Sequence, residues 1–280
     1  MKKHVLVTGA GGYIGRHVVS ALCDLGMDVT AVIRNNGDID PRAQILQRDI
    51  FEPSHDLFGE FDKPDVCVHL AWQDGFVHDS DAHMINLSRH YAFIEQMMRG
   101  GLKQLAVMGT MHEVGYFEGA IDADTPCNPI SMYGIAKDAL RRSSILLSQK
   151  YNVCLQWLRA FYIYGDDEKN HSIFTKITQA EQNGASFFPL NSGRNKYDFI
   201  EINVLADQIA HVVMQTEVAG VINCCSGMPI SLREKVEKFI LERGYSIKPQ
   251  YNAFPDRPYD SPEIWGNPEK IQEILSMKPV

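Results

Sequence analysis

Thr8-Gly9-Ala10-Gly11-Gly12-Tyr13-Ile14-Gly15 joins an apolar run, Val5-Leu6-Val7, to a segment that carries Val18, Val19, Leu22 and Leu25 on one side. That pattern reads as strand, turn and amphipathic helix. Glycines at 9, 12 and 15 allow a tight turn, a close approach of backbone to a pyrophosphate, and close packing of helix on strand. Their spacing is Gly-x-x-Gly-x-x-Gly. Free N–H groups at a helix start attract an anion, so Gly9, Gly12, Tyr13, Ile14 and Gly15 are expected to hold the phosphates of a dinucleotide. A glycine-rich surface turn without a ligand is the competing reading. The position between a first strand and a helix favours the ligand.

Asp28-Val29-Thr30-Ala31-Val32-Ile33 reads as the next strand, because β-branched residues dominate it and Gly26 closes the helix before it. An acid about 20 residues beyond the glycine turn suits the ribose of NAD, whereas an arginine there accommodates the 2′-phosphate of NADP. Here Arg34 follows the strand, with Asn35 and Asn36 next and Arg16 near the turn. The expected cofactor is NADP, with NAD second; a solvated arginine at a strand end is the alternative. Asp49 and Ile50, after the short strand Ile45-Leu46-Gln47, fall where an adenine ring would rest.

With 280 residues, 45% hydrophobic and 22% charged, the chain can bury a full core. A net charge of -8 argues against nucleic acid or an anionic membrane as the main partner. The six cysteines show no metal spacing and no disulfide framework, so no metal is expected and reduced thiols in a cytoplasmic protein fit best. No apolar run approaches the ~18 residues of a membrane span, and no targeting segment is evident.

Asp65-Val66-Cys67-Val68-His69-Leu70-Ala71 is apolar enough to be a strand buried on both faces of a parallel sheet. A helix across 80–99 follows, with Ile85, Tyr91, Ile94 and Met98 as its apolar side, then a strand Gln104-Leu105-Ala106-Val107-Met108. Alternating strands and helices call for an α/β, doubly wound parallel sheet of the Rossmann type with right-handed crossovers. Ligands on such sheets lie beyond the carboxyl ends of the strands, at Thr8, Leu70, Ala71 and Thr110. A helix starting near Ser131 then carries Tyr133 and Lys137 one turn apart on one face. A nearby ammonium favours a phenolate and lowers a tyrosine pKa toward the working range of an acid or base. A Tyr-x-x-x-Lys is close to chance in such a chain; its place after the Thr110 strand gives it meaning.

Gly9-x-x-Gly12-x-x-Gly15, His69-Leu70-Ala71, Thr110 and Tyr133-x-x-x-Lys137 together resemble an extended short-chain dehydrogenase/reductase of the NAD-dependent epimerase/dehydratase, nucleotide-sugar-modifying family. The likeness runs nearly end to end: Leu158-Arg159-Ala160-Phe161-Tyr162-Ile163-Tyr164-Gly165 resembles the family's Leu-Arg-x-x-Asn-Val-Tyr-Gly, Tyr197-Asp198-Phe199-Ile200 its Arg-Asp-Phe-Ile, and Arg257-Pro258-Tyr259-Asp260 its Arg-Pro-Gly-Asp. The resemblance implies catalytic Thr110, Tyr133 and Lys137, a Rossmann part over 1–165 with 200–228, and a smaller substrate-binding part over 166–199 with 229–280. It also implies a nucleotide-diphosphate sugar as partner, and a homodimer through the helices at 80–99 and 132–151.

The departures fall on the substrate side. Tyr162 replaces an asparagine, Tyr197 an arginine, and Trp72 a frequent alanine, which either narrows the space near the nicotinamide or fills the core. Trp72, His112, Tyr162 and Arg257 are the expected substrate contacts, while His55, His78 and His211 read as surface or structural. Dehydratases of the family carry Asp-Glu directly after the threonine; Met111 and His112 stand there instead. Reduction of a 4-keto-6-deoxy nucleotide-sugar by NADPH is therefore the expected activity. An epimerase using His112 as a base, and a non-catalytic dinucleotide sensor, are the alternatives; fold alone does not choose.

Overall fold

The computed structural model describes residues 2–35, 37–165, 170, 172–256 and 260–277. The first half alternates strand and helix except between β2 and β3, which no helix separates: β1 (His4–Thr8), α1 (Tyr13–Asp24), β2 (Asp28–Ile33), β3 (Gln44–Gln47), α2 (Leu57–Glu60), β4 (Val66–His69), α3 (Ala82–Gly100) and β5 (Gln104–Thr110). A 3-10 turn (Met111–Glu113) leads to β6 (Gly119–Ile121), α4 (Met132–Tyr151), β7 (Cys154–Ala160), β8 (Tyr162–Tyr164), α5 (Ile173–Gln182) and β9 (Phe187–Pro189). The chain ends with β10 (Lys196–Glu201), α6 (Ile202–Met214), β11 (Gly220–Cys224), β12 (Pro229–Ser231), α7 (Leu232–Arg243), β13 (Lys248–Gln250), β14 (Glu263–Gly266) and α8 (Glu269–Ser276).

Seven strands form a parallel sheet in the order β11-β7-β5-β4-β1-β2-β3. The order reverses between β1 and β4, and a crevice opens at such a switch point beyond the strand ends. The expected doubly wound α/β fold is what the chain adopts. Val18, Val19 and Leu22 of α1 pack with Leu205, Ile209 and Val212 of α6 on one face, and Phe93, Ile94 and Met97 of α3 with Leu140 and Leu147 of α4 on the other. A second, smaller sheet, β12-β10-β14-β6 with β8 beside β10, stands at the carboxyl side. Buried Asp198 binds it together, accepting from the N–H groups of Ser226, Gly227 and Gly266.

Of the apolar side expected for the long helix, Ile94 and Met98 are buried but Ile85 and Tyr91 are not. Ile85 is 69% exposed and Tyr91 42%, whereas His83, Asn86 and His90 face inward beside Phe93, Ile94 and Met97. Burying neutral imidazoles is affordable only when each finds a partner, and those partners sit at the ends of β1 and β4.

Candidate active site

The glycine turn folds as its residues dictate. Gly9 has φ +68, and a Cβ there would lie 2.6 Å from the Ala71 nitrogen; one on Gly15 would lie 2.2 Å from the Gly9 carbonyl oxygen. Only glycine lets β1, the start of α1 and the Leu70-Ala71 segment meet so closely. Gly12 caps α1 with no side-chain hydrogen bond, and no acid occupies the first turn. With neither a capping side chain nor an acid at this helix start, the turn fits a dinucleotide pyrophosphate. The Tyr13 hydroxyl donates to the Gly165 carbonyl at 2.6 Å, tying the turn to the end of β8. Arg34 lies exposed just beyond β2, with its carbonyl accepting from the Gln47 amide at 3.1 Å. Ile50 is buried, and Asp49 accepts from the Phe51 N–H at 2.9 Å.

Thr110 ends β5 and caps the following turn: its hydroxyl accepts from the His112 N–H, and Glu113 reaches back to the Thr110 N–H at 2.8 Å. Glu113 is fully buried, also accepts from the Trp157 indole at 2.8 Å, and has Arg141 and Arg159 each 3.6 Å away. Desolvation pushes its carboxyl up while the arginines oppose the rise. This acid fixes the backbone on which the Thr110 hydroxyl depends. Tyr133, in the first turn of α4, has the Thr110 hydroxyl beside it as a group that favours its phenolate. Thr110, Tyr133 and Lys137 thus converge at the carboxyl end of the sheet.

One electrostatic expectation is corrected. Lys137 does not depress Tyr133 here: desolvation pushes the phenol up, the Thr110 hydroxyl pulls it down, and the Glu113 charge adds to the rise. The Lys137 ammonium lies 5.9 Å from the Tyr133 ring centre but 3.7 Å over Trp72, and donates to the Met108 carbonyl at 2.7 Å. Burial moves Lys137 down to about 7, with Glu113 opposing.

Trp72 is both a core and a site residue. Its indole stacks on His90 at 4.4 Å, donates to His83 at 3.0 Å and meets Tyr133 edge-on. His112 and Tyr162 stand with their ring centres 6.5 Å apart, and Tyr162 packs on Tyr197 at 4.4 Å, so the two tyrosines that depart from the family pattern replace polar groups with one aromatic wall. Arg257 lies outside the described residues. His78, read from sequence as structural, joins this group: its ring stacks on Tyr133 at 5.3 Å and lies 4.3 Å from His112. Burial lowers His112 to about 3 and lowers His78 as well, so both are neutral near pH 7. No local signal marks His78, in the loop after β4, or His83, in the first turn of α3, because both reach the site only through contacts between segments distant in sequence. Among the described residues no cluster suits a metal ion, and no helix is long and apolar enough to cross a membrane.

A family model described as the NAD dependent epimerase/dehydratase family matches residues 5–225. The chain belongs to that family. It is an enzyme of the extended short-chain dehydrogenase/reductase type. This family member is 46% identical over 268 residues, 94% of its length and 99% of the relative's, to dTDP-6-deoxy-L-talose 4-dehydrogenase (NAD(+)) of Aggregatibacter actinomycetemcomitans. A UDP-N-acetylglucosamine 4-epimerase from Methanobrevibacter ruminantium M1, solved with UDP-N-acetylmuramic acid, shares its fold at TM-score 0.83 and 22% identity, covering 100% of this chain and 94% of that one. A dTDP-glucose 4,6-dehydratase from Streptomyces venezuelae, with NAD and TYD bound, superimposes at TM-score 0.80 and 19% identity, covering 99% and 92%.

Proposed function

We propose that the chain is a nicotinamide-dependent 4-oxidoreductase of a dTDP-linked 6-deoxyhexose, joining a 4-keto and a 4-hydroxy sugar. The observation that carries this reading is the convergence of Thr110, Tyr133 and Lys137 beside a glycine turn, in a chain 46% identical to a 4-dehydrogenase of such a sugar. When bound, the nicotinamide supplies or accepts the hydride. In the direction of reduction, Thr110 and Tyr133 hold the carbonyl oxygen, and Tyr133 gives its proton to the new alkoxide. A phenol whose pKa lies above 10 is protonated at neutral pH, which suits that role. Lys137 supplies the positive charge beside the reacting oxygens. Gly9, Gly12, Tyr13, Ile14 and Gly15 hold the pyrophosphate, Asp49 and Ile50 the adenine end, and Leu70 and Ala71 the floor of the groove.

For the cofactor, NAD(H) is preferred to the NADP(H) expected from Arg34. The relative is named for NAD(+), and an exposed arginine at a strand end is compatible with either. Epimerisation is the second reading, because His112 lies over the site with its ring centre 6.1 Å from that of Tyr133. A histidine lowered to about 3 is a feeble base for a carbon-bound proton, which favours simple oxidoreduction. Net elimination lacks its acid pair, since Met111 and His112 hold those positions.

The test incubates the enzyme with a dTDP-4-keto-6-deoxyhexose and NADH or NADPH, following loss of the reduced nicotinamide and then product NMR. Stoichiometric consumption that drops by ~10²–10⁴ in Tyr133→Phe is expected. Conversion of a 4-hydroxy sugar to its 4-epimer with no added cofactor would assign the chain to the epimerases instead.

A further inference from the structure

Lys137 is 2% exposed, yet among the described residues it forms no ion pair with a carboxylate. Its hydrogen bond is to the Met108 carbonyl at 2.7 Å, which uses one of three donors. Trp72 lies nearer than any other charge-stabilising side chain described: the ammonium sits 3.7 Å from the indole centre. Indole presents the strongest negative face of the aromatic side chains, and that attraction grows when water is absent. The proposed function has Lys137 act through its charge, and the present inference rests on that reading. We propose that Trp72 is a positioning residue for Lys137, its indole face holding the ammonium in place beside Tyr133.

The indole is held from elements other than α4. Its N–H donates to Nδ1 of His83 at 3.0 Å, so His83 carries its own proton on Nε2 and donates to the Val77 carbonyl at 2.8 Å. His83 is 1% exposed. On the ring itself His90 stacks at 4.4 Å with 16° between planes. His90 in turn is hydrogen-bonded through Nδ1 to His69 Nε2 at 2.9 Å, and His69 Nδ1 to the Thr8 hydroxyl at 2.8 Å. A path of bonds and stacks from the end of β1, through β4 and α3, therefore terminates on the indole whose ring meets the ammonium. An indole that merely filled space would need no such orientation.

The groups acting on Lys137 from the surrounding elements are Glu113 in the turn after β5, His69 on β4, His90 on α3 and Tyr133 on its own helix. Both histidines are held neutral by burial. Among the described residues Glu113 is the one charge that favours the ammonium, and it is committed to Thr110 and Trp157. The indole face is then the contact whose removal is felt most directly.

Lysine labelled with 13C at Cε, its Lys137 resonance assigned by loss in Lys137→Met, reports the titration in the free enzyme without any turnover. Trp72→Leu keeps apolar bulk and removes the π face; Trp72→Phe keeps a weaker face; His83→Gln releases the indole N–H. We expect the Lys137 titration to fall by about one pH unit in Trp72→Leu, by clearly less in Trp72→Phe, and slightly in His83→Gln. The alkaline limb of kcat should move by the same amounts. An unchanged titration in Trp72→Leu, or equal shifts in the leucine and phenylalanine variants, overturns the proposal. If Trp72→Leu does not fold, absence of any shift in both Trp72→Phe and His83→Gln overturns it. Lack of turnover by the wild type on the 4-keto sugar would refute the proposed reaction and leave the NMR result standing by itself.

Discussion

Tyr133 and His78 are joined twice: the Tyr133 N–H donates to the His78 carbonyl at 2.8 Å, and their rings stack 5.3 Å apart with 9° between planes. The loop after β4 is thereby fastened to the first turn of α4, and Phe76 of the same loop lies against Tyr13 with ring centres 6.4 Å apart. The segment spans from the glycine turn to Tyr133. Stacking of this kind contributes about 0.5–1.5 kcal/mol. Truncating His78→Ala keeps the backbone bond but removes the stack, so kcat should fall roughly three- to tenfold, the rate equivalent of that energy. His78→Phe should restore most of it. Equal kinetics for alanine, phenylalanine and wild type would show that the stack does not orient Tyr133.

Stability should depend on pH through the buried bases. Lys137 titrates near 7 rather than at its ordinary 10.5. Between those values the unfolded chain holds a proton that the folded chain has lost, so stability rises with pH across that window. Tm measured from pH 7 to 10 should climb less steeply in Lys137→Met than in the wild type. Toward acid, His69 and His112 are lowered from 6.5 to about 3. Their stability contribution is intact above 6.5 and is lost as pH falls, at roughly 1.4 kcal/mol per pH unit for each histidine. His69→Gln should blunt that acid decline; the same slope in mutant and wild type would contradict it.

Local patterns were sufficient for the centre of the sheet, because β1, β2, β4 and β5 are runs of mostly apolar, buried residues. The Gly9, Gly12 and Gly15 turn was equally legible, since its constraint is steric and confined to residues near in sequence. The inner face of α3 was not. Ile85 and Tyr91 look like core by periodicity, yet His83 and His90 are the residues turned inward, because Trp72 and His69 offer them bonds and stacking that no helical period records. The same holds for Tyr133: a lysine one turn away suggested a lowered pKa, but desolvation and a competing indole decide the electrostatics. Pairings across distant segments, rather than residue types, carry that information.

Cofactor choice is testable at one residue. Arg34 is exposed and donates no side-chain hydrogen bond among the described residues, so its guanidinium is free to meet a 2′-phosphate if one is supplied. With NAD(H) as the working cofactor, Arg34→Ala should leave kcat/KM for NADH within about twofold and reduce any residual use of NADPH by tenfold or more, the scale of one charge-assisted contact. A wild-type preference for NADPH that vanishes in the mutant would reverse the assignment.

The outward side of α3 and α4 gives the last prediction. Met84, Ile85 and Tyr91 on α3 and Met132, Ile135 and Leu146 on α4 are all exposed, with Ile85 at 69% and Leu146 at 67%. Isolated surface apolar residues are ordinary, but a set of them on two helices that pack together suits an interface. Two copies related by a two-fold axis would bring four helices together, burying the same residues of each partner. Light scattering at micromolar concentration should therefore return twice the 31.6 kDa chain mass. A charge in the centre of that face has no partner in the assembled state and costs its desolvation, so Leu146→Glu together with Ile85→Glu should yield monomers. Because both side chains point away from the core, the double variant should keep its Tm near that of a dissociated wild type, which separates a broken interface from a broken fold. A monomer mass for the wild type, or a dimer that survives both glutamates, would place any self-association elsewhere.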